Sequence, residues 1–361
     1  MSALDEIIRT EIKRDGSIPF ARLMELALYC PQFGFYDRIE NRIGREGDFY
    51  TSVSVGSLFG ELLARRFLSW MDPIRDGEFQ LLEAGAHDGR LALDILGWIT
   101  THRPELDGRL HYWILEPLQS RRRLQRRTLE RFLERVRWFE CWEALPRTGI
   151  RGVIFSNELF DAMPVHRLGW NARLREWFEW GVEIQNRDLT WTRLPTDSRL
   201  TDFPLMARLP EELLEVLPND FTTEVCPAAV EWWDRAARTL QQGKLMTIDY
   251  GLEAEQFFVP ERSTGTLCAY YRHHANSELL ARIGDQDLTA QVNFTALRTT
   301  GEAAGLRTEG VYSQRAFLTG IFESMMKSGS NLDNDARTQE FHTLTHPDHL
   351  GRAFRVLIQS R

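Results

Sequence analysis

The segment LLEAGAHDGRLALDIL, residues 81–96, constrains this chain's fold more than any other. An apolar run halts at Glu83, a glycine-containing loop follows, and a helix-patterned stretch runs from Gly89 to about Thr101. FQLLEAG (79–85) overlaps it, and LHYWILEP (110–117), GVIFSNEL (152–159) and KLMTIDYG (244–251) repeat the pattern of a short apolar run stopped by a polar or glycine turn. Apolar runs without polar alternation are the mark of strands buried on both faces, the habit of parallel sheets covered by helices. Alternation of such strands with helices predicts a doubly wound α/β sheet.

The rest of the chain arranges itself around that sheet. Residues 1–75 read as a helical section, with helices at 3–14 and 19–29 separated by the turn Asp15-Gly16-Ser17, and another from about Val55 to Trp70. Residues 76–165, 223–251 and 299–361 read as the three parts of the core, interrupted by insertions at 166–222 and 252–298. The first insertion carries REWFEWGVEIQNRDLTWTRLP, a tryptophan-bearing hairpin whose Trp170, Trp177, Trp180 and Trp191 serve either its core or a partner. GLRTEGVYSQ and AFRVLIQS, with a helical stretch around 316–345 between them, predict a closing antiparallel pair. The arginine-rich run QSRRRLQRRTLERFLERVRWFE (119–140) reads as a solvated helix face with a buried stripe of Leu124, Leu129, Phe132, Leu133 and Val136; its interleaved glutamates argue against a nucleic-acid patch.

Composition excludes several classes. With 52 acidic against 44 basic residues, the net charge of −8 does not suit a dedicated nucleic-acid binder. Cys30, Cys141, Cys226 and Cys268 are far apart and signal neither a zinc site nor a disulfide framework, so no metal is expected. The opening MSALDEIIRTEIKRDG mixes acids with bases and lacks a continuous apolar core, unlike a secretory or transit segment. No run approaches the roughly 18 apolar residues of a membrane span. The expectation is a cytoplasmic protein without membrane insertion.

The loop after Glu83 suits a ligand held by backbone amides and a helix N-terminus. A nicotinamide-dinucleotide fingerprint fails, because from Gly85 the later glycines fall on His87 and Arg90. An acid before the first glycine instead suits the amine-bearing end of S-adenosylmethionine, and Glu116 at the next strand end is placed to accept both ribose hydroxyls. Past the third strand stand Asn157, Glu158 and Asp161. If a helical turn starts there, the two carboxylates share a side, where they either clamp a guanidinium bidentately or cap the helix.

Taken together, IPFARLMELALYCPQFGFY (18–36), GREGDFYTS (44–52), YWILEP, SNELFDAMPVH (156–166), TEVCPAA (223–229), MTIDYG, GTLCAY (265–270), GDQDLTAQVNFTAL (284–297), SQRAFL (313–318) and GRAFRVL resemble the MidA family over nearly the whole chain. These are class I S-adenosylmethionine-dependent methyltransferases, among them a protein arginine methyltransferase that assembles mitochondrial complex I. The resemblance implies a Rossmann-like methyltransferase sheet and S-adenosylmethionine as cofactor. It also implies a protein substrate, with an arginine acceptor in a respiratory or other multisubunit partner. The cofactor would be held by Asp48, Thr51, Glu83, Gly85, Ala86, His87, Gly89 and Glu116, with Asn157, Glu158 and Asp161 at the catalytic mouth. Glu224, Asp249, Tyr250, Asp287 and Asn293 are further candidates on the same ground. Three departures stand out: His87 at a loop glycine, Val53-Ser54-Val55 where proline-glutamate is usual, and Cys268 for an arginine. They leave open a second reading, an assembly or interaction protein that keeps the fold without the activity.

Overall fold

The computed structural model describes residues 2–38, 51–72, 77–203, 206, 209–272, 274–327, 329, 335–346, 350–351 and 354–361. Asp48 and most of GREGDFYTS lie outside the described residues.

Helix α1 (Ala3–Asp15), strand β1 (Ile18–Pro19) and helix α2 (Phe20–Tyr29) open the chain, followed by α3 (Ser52–Val55) and α4 (Leu58–Met71). The core then runs β2 (Phe79–Ala84), α5 (Arg90–His102), β3 (Leu110–Leu115), α6 (Gln119–Thr128), β4 (Val136–Phe139) and β5 (Ile150–Asn157). After β6 (His166–Asn171), β7 (Glu176–Gln185), β8 (Asp188–Pro195), α7 (Ser198–Thr201), α8 (Glu211–Val216) and β9 (Thr222–Val225), the core resumes with α9 (Pro227–Thr239) and β10 (Leu240–Leu252). Strands β11 (Cys268–Tyr271), β12 (His274–Asn276), β13 (Asp287–Thr289) and β14 (Val292–Asn293) lead to α10 (Phe294–Ala303), β15 (Arg307–Ser313), α11 (Gln314–Lys327), α12 (Asp335–Thr345) and β16 (Phe354–Ser360).

The central sheet has the order β15-β16-β10-β5-β2-β3-β4. Strands β4, β3, β2, β5 and β10 are mutually parallel, and β16 inserts antiparallel between β10 and β15. Counted within this sheet, the order is 3-2-1-4-5-7-6 with the seventh strand reversed. The expected closing pair is therefore present, and the chain reverses its winding between β2 and β5. A crevice opens outside the carboxyl ends of strands at such a reversal, which is where open α/β sheets take ligands.

Alternation along each strand feeds two cores. Leu81, Phe155, Met246 and Val356 pack against α4, α5 and α11, while Leu82, Ile154, Leu245 and Leu357 pack against α9 and α10 on the other face. All eight are fully buried or nearly so, each contributing about 1.5–3 kcal/mol of transfer free energy. Helix α5 presents Leu91, Ala92, Ile95, Leu96 and Ile99 to the first core.

Residues 119–140 differ from their helical expectation. Helix α6 ends at Thr128, a 3-10 turn spans Glu130–Phe132, and VRWF forms the edge strand β4. Leu129, Phe132 and Val136 are buried as the stripe predicts, but Leu133 is 43% exposed because the helix has already stopped. Arg137 on this outer strand is exposed, a common protection of a sheet edge.

The tryptophan-bearing hairpin forms as β7 and β8, within a sheet ordered β1-β7-β6-β9 with β8 on β7. Ile18 from the N-terminal section pairs with Val182, joining sequence-distant segments in one sheet. Trp170 is buried, and Trp177, Trp180 and Trp191 are half-buried against one another or Phe20. They are core residues of this lobe, which removes the exposed partner surface they would have offered.

Candidate active site

A cavity of about 980 Å³ opens at the reversal between β2 and β5. Its walls take Glu83, Gly85, Ala86 and His87 from the loop after β2, and Glu116 and Arg121 from beyond β3. Asn157, Glu158 and Asp161 enter from beyond β5, Thr51 from before α3, Tyr29 and Tyr36 from the N-terminal section, and Asp287 from β13.

The glycine loop is built on left-handed backbone. Gly85 and Gly89 have φ of +71° and +84°, and Gly89 caps α5. A Cβ at Gly85 would lie 2.8 Å from Leu159 Cδ1, so the loop and the turn after β5 touch at this point. His87 takes a glycine-like, left-handed conformation with φ +44°, at a cost of about 1–2 kcal/mol. Its side chain turns to α6, where Nε2 accepts a hydrogen bond from Arg121 Nη1 at 2.9 Å. That bond fixes the neutral tautomer with the proton on Nδ1, facing Asp88 Oδ1 at 3.8 Å. Burial holds the imidazole below its ordinary pKa, with Arg121 acting in the same direction. The Arg121 Nε in turn donates to the Tyr36 carbonyl at 2.7 Å.

Each acid of this wall has a neutral donor. Tyr112 Oη donates to Glu83 Oε2 at 2.6 Å, and burial pushes Glu83 up to about 8. Glu116 Oε1 accepts from the Leu118 backbone N–H and Oε2 from Gln125 Nε2, while Gln125 Oε1 is fixed by Trp138 Nε1. Burial raises Glu116, and those two donors oppose the rise.

The opposite wall is a sharp turn. Glu158 has φ +52°, incompatible with starting an α-helix, so the helical turn envisaged at 157–161 does not form. Asp249 replaces it: Oδ2 accepts the N–H groups of Leu159 (3.1 Å) and Phe160 (2.8 Å), and Oδ1 that of Tyr250. Glu158 and Asp161 thus cap no helix, yet both face the cavity. The Glu158 N–H donates to the Ile248 carbonyl, and its carboxylate accepts from Asn157 Nδ2 at 3.0 Å. Burial, then the charge of Asp161, lifts Glu158 to about 8. Asp161 is raised strongly by burial and by the charges of Asp249 and Asp287. Tyr36 Oη donates to the Asp287 carboxylate at 2.9 Å, bringing residues 251 apart into one wall.

The remaining candidates lie elsewhere. Asp249 works beneath the turn, Tyr250 stacks on Phe354 at 3.9 Å, Asn293 caps α10 through Ala296 N–H, and Glu224 accepts from Thr266. Cys268 is held among carbonyls and is raised by burial. Tyr29, Tyr36 and Arg121 are wall residues that spacing did not single out, although the two tyrosines stand inside IPFARLMELALYCPQFGFY.

This arrangement defines an adenosyl-ligand site of the class I methyltransferase kind. The residues fit S-adenosylmethionine: the loop has no side chain at Gly85, which lines the cavity, Glu116 faces the cavity for a diol, and Asn157 Oδ1 is buried with no partner among the described residues, an acceptor for a ligand N–H. Residues 62–312 match the sequence model of a family of S-adenosyl-L-methionine-dependent methyltransferases, and the chain belongs to this family. A superfamily member from Burkholderia thailandensis crystallised with S-adenosyl-homocysteine is 30% identical, with a TM-score of 0.83 over 99% of this chain and 92% of that one. The protein arginine methyltransferase NDUFAF7 homolog of Drosophila melanogaster is 26% identical, covering 98% of this chain and 84% of the relative. Rattus norvegicus NDUFAF7 is 30% identical, covering 85% and 71%.

Proposed function

We propose that this methyltransferase acts on an arginine side chain of a protein, within the MidA group of its family. The carrying observation is the acceptor wall: Glu158 and Asp161 converge in the cavity, and the strongest influences on each are burial and other carboxyl groups. Such a wall is electrostatically short of a cation, and a guanidinium supplies one together with a planar fork of donors. The names of the curated relatives support the same acceptor.

Bound S-adenosylmethionine supplies an electrophilic methyl group on sulfur. Glu83, the loop 85–89 and Glu116, beyond the carboxyl ends of β2 and β3, would hold it, and much of the rate comes from alignment of the two reactants. Glu158, with Asp161, grips the guanidinium and aims one nitrogen toward the methyl group. One carboxylate takes the proton that the nitrogen must lose. Arginine entry lowers the raised pKa values of the pair, so binding releases protons. In the free enzyme, kcat/KM rises with pH until Glu158 is ionised, near pH 8.

The second reading, a fold kept without activity, rested on His87 together with Val53-Ser54-Val55 and Cys268. The neutral ring bound to Arg121 leaves the loop in glycine-like geometry, which favours an active site. The setting is read as cytoplasmic, and the acceptor as a subunit of a larger assembly. Among the described residues no helix is long and apolar enough to cross a membrane.

The test is transfer of labelled methyl from S-adenosylmethionine to proteins of a lysate lacking this chain, followed by acid hydrolysis. Label should appear in methylarginine and fall at least about 100-fold with Glu158→Gln. Label in another amino acid, or undiminished transfer by the variant, refutes the arginine reading.

A further inference from the structure

S-adenosylmethionine carries a carboxylate as well as an amine and a diol, and the acids Glu83 and Glu116 suit only the last two. A cation for the carboxylate has to come from elsewhere in the wall. The basic residues lining the cavity are Arg22, Arg90 and Arg121, besides His87 and His166. Arg22 is taken: its Nε and Nη2 donate to Glu11 and its Nη1 to Glu25. His166 is paired with Glu179, and Arg90, the first residue of α5, is exposed. Arg121 is only 6% exposed, and its partners among the described residues are neutral. Nε donates to the Tyr36 carbonyl at 2.7 Å and Nη1 to His87 Nε2 at 2.9 Å, while Nη2 is buried with no partner among the described residues. The first two bonds set the plane of the guanidinium, so Nη2 holds its two N–H groups in a fixed direction. A buried donor left unpaired is costly, and this wall is therefore built for an acceptor that the chain does not itself supply.

We propose that Arg121 binds the carboxylate of S-adenosylmethionine through Nη2 and so makes the site select adenosyl ligands that carry an amino-acid end. The pairing is charge-assisted, and the ligand's carboxylate is its one anionic group, the natural complement of a cation that has only neutral partners in the chain. Burial works against the charge of Arg121 and Glu116 works in its favour; an arriving carboxylate adds a further favourable partner. The assignment also gives His87 a use at the loop position where a glycine is usual: its ring accepts from Nη1 and, with the Tyr36 carbonyl, sets the direction of the fork. Tyr36 comes from the N-terminal section, His87 from the loop after β2 and Arg121 from α6, so three separate segments fix one donor.

The experiment is calorimetric titration of the full chain with S-adenosylhomocysteine and with its decarboxylated analogue, which keeps the adenosine, sulfur and amine and lacks only the carboxylate. The native chain should bind S-adenosylhomocysteine about 10- to 100-fold more tightly than the analogue, the range for one charge-assisted contact. Arg121→Met, which keeps an apolar stem, should weaken S-adenosylhomocysteine by about that factor and leave the analogue within about threefold, so that the preference collapses. Arg121→Lys keeps the charge without the planar fork and should retain part of the preference. An Arg121 that merely braces His87 and Tyr36 weakens both ligands by the same factor in either variant and leaves the preference intact; that result overturns the proposal. Equal affinity of the native chain for the two ligands overturns it as well, and that comparison needs no variant to fold. The arginine acceptor has no part in these titrations, so methyl transfer to another amino acid would sink the acceptor reading and leave this assignment standing.

Discussion

The two walls of the cavity use acids in opposite ways. On the loop side, Glu83 and Glu116 each meet neutral donors, Tyr112 for one and Gln125 with the Leu118 N–H for the other. On the turn side, Glu158 and Asp161 face mainly each other, Asp249 and Asp287. Acids satisfied by neutral donors are pre-oriented acceptors for hydroxyls and N–H groups of a ligand. Burial pushes both Glu83 and Glu158 up to about 8, but the next-largest influence on Glu83 is the Tyr112 donor and on Glu158 the charge of Asp161, so the second wall gains most when a cation arrives. The proposed function places the cofactor on the first wall and a guanidinium on the second.

The sharpest way to break this division is Glu116→Ala. Losing a charged acceptor costs about 1.5–3 kcal/mol, so calorimetry should show S-adenosylhomocysteine bound roughly 10- to 100-fold more weakly. Unchanged affinity would mean that the diol sits elsewhere. Gly85→Ala probes the seam where the walls touch. Its Cβ would press on Leu159 while the backbone is left-handed, so chemical denaturation should show a loss of about 1–2 kcal/mol and weaker ligand binding together. Stability lost with binding retained would show that the turn yields independently of the loop.

Glu83 offers a pH test of the first wall. Its folded pKa of about 8 lies above the ordinary 4.5, so between those values the folded chain keeps a proton that the unfolded chain has released. Stability therefore falls as pH rises through that window and levels off above it. Denaturant midpoints at several pH values should fall less steeply in Glu83→Gln; an identical slope would place the titration on other groups. The smallest expected effect belongs to His87→Gly, which relieves left-handed strain but gives up the Arg121 contact. Opposed terms of this size should leave S-adenosylhomocysteine affinity within about threefold. A large gain would show that the side chain obstructs the site.

The first wall was legible in the sequence and the second only partly so, for a physical reason. Strand-end acids followed by glycines announce themselves because strand, loop and helix are consecutive, and Glu83, Gly85, Gly89 and Glu116 all belong to such units. Asp161 meets Asp249 and Asp287 only after β5, β10 and β13 have been brought together, and no local pattern encodes that convergence. The left-handed conformation of Glu158 was likewise hidden, since i, i+3 spacing suggested a helix where Asp249 instead ties down the turn. Strand β4 escaped notice because its four residues, Val136–Phe139, follow directly on a helix-patterned run and are too few to show a period of their own. The β1–β7 pairing shows the same limit in the accessory sheet: two residues, Ile18 and Pro19, join a strand more than 150 positions away.

The most direct test of the division is a calorimetric titration of S-adenosylhomocysteine into the native chain and into Glu158→Gln at pH 7.5. The account predicts binding by the native chain and an affinity within about threefold in the variant, because the altered carboxylate belongs to the acceptor wall. No binding by the native chain, or a loss beyond about tenfold in Glu158→Gln, would contradict the separation of the two walls.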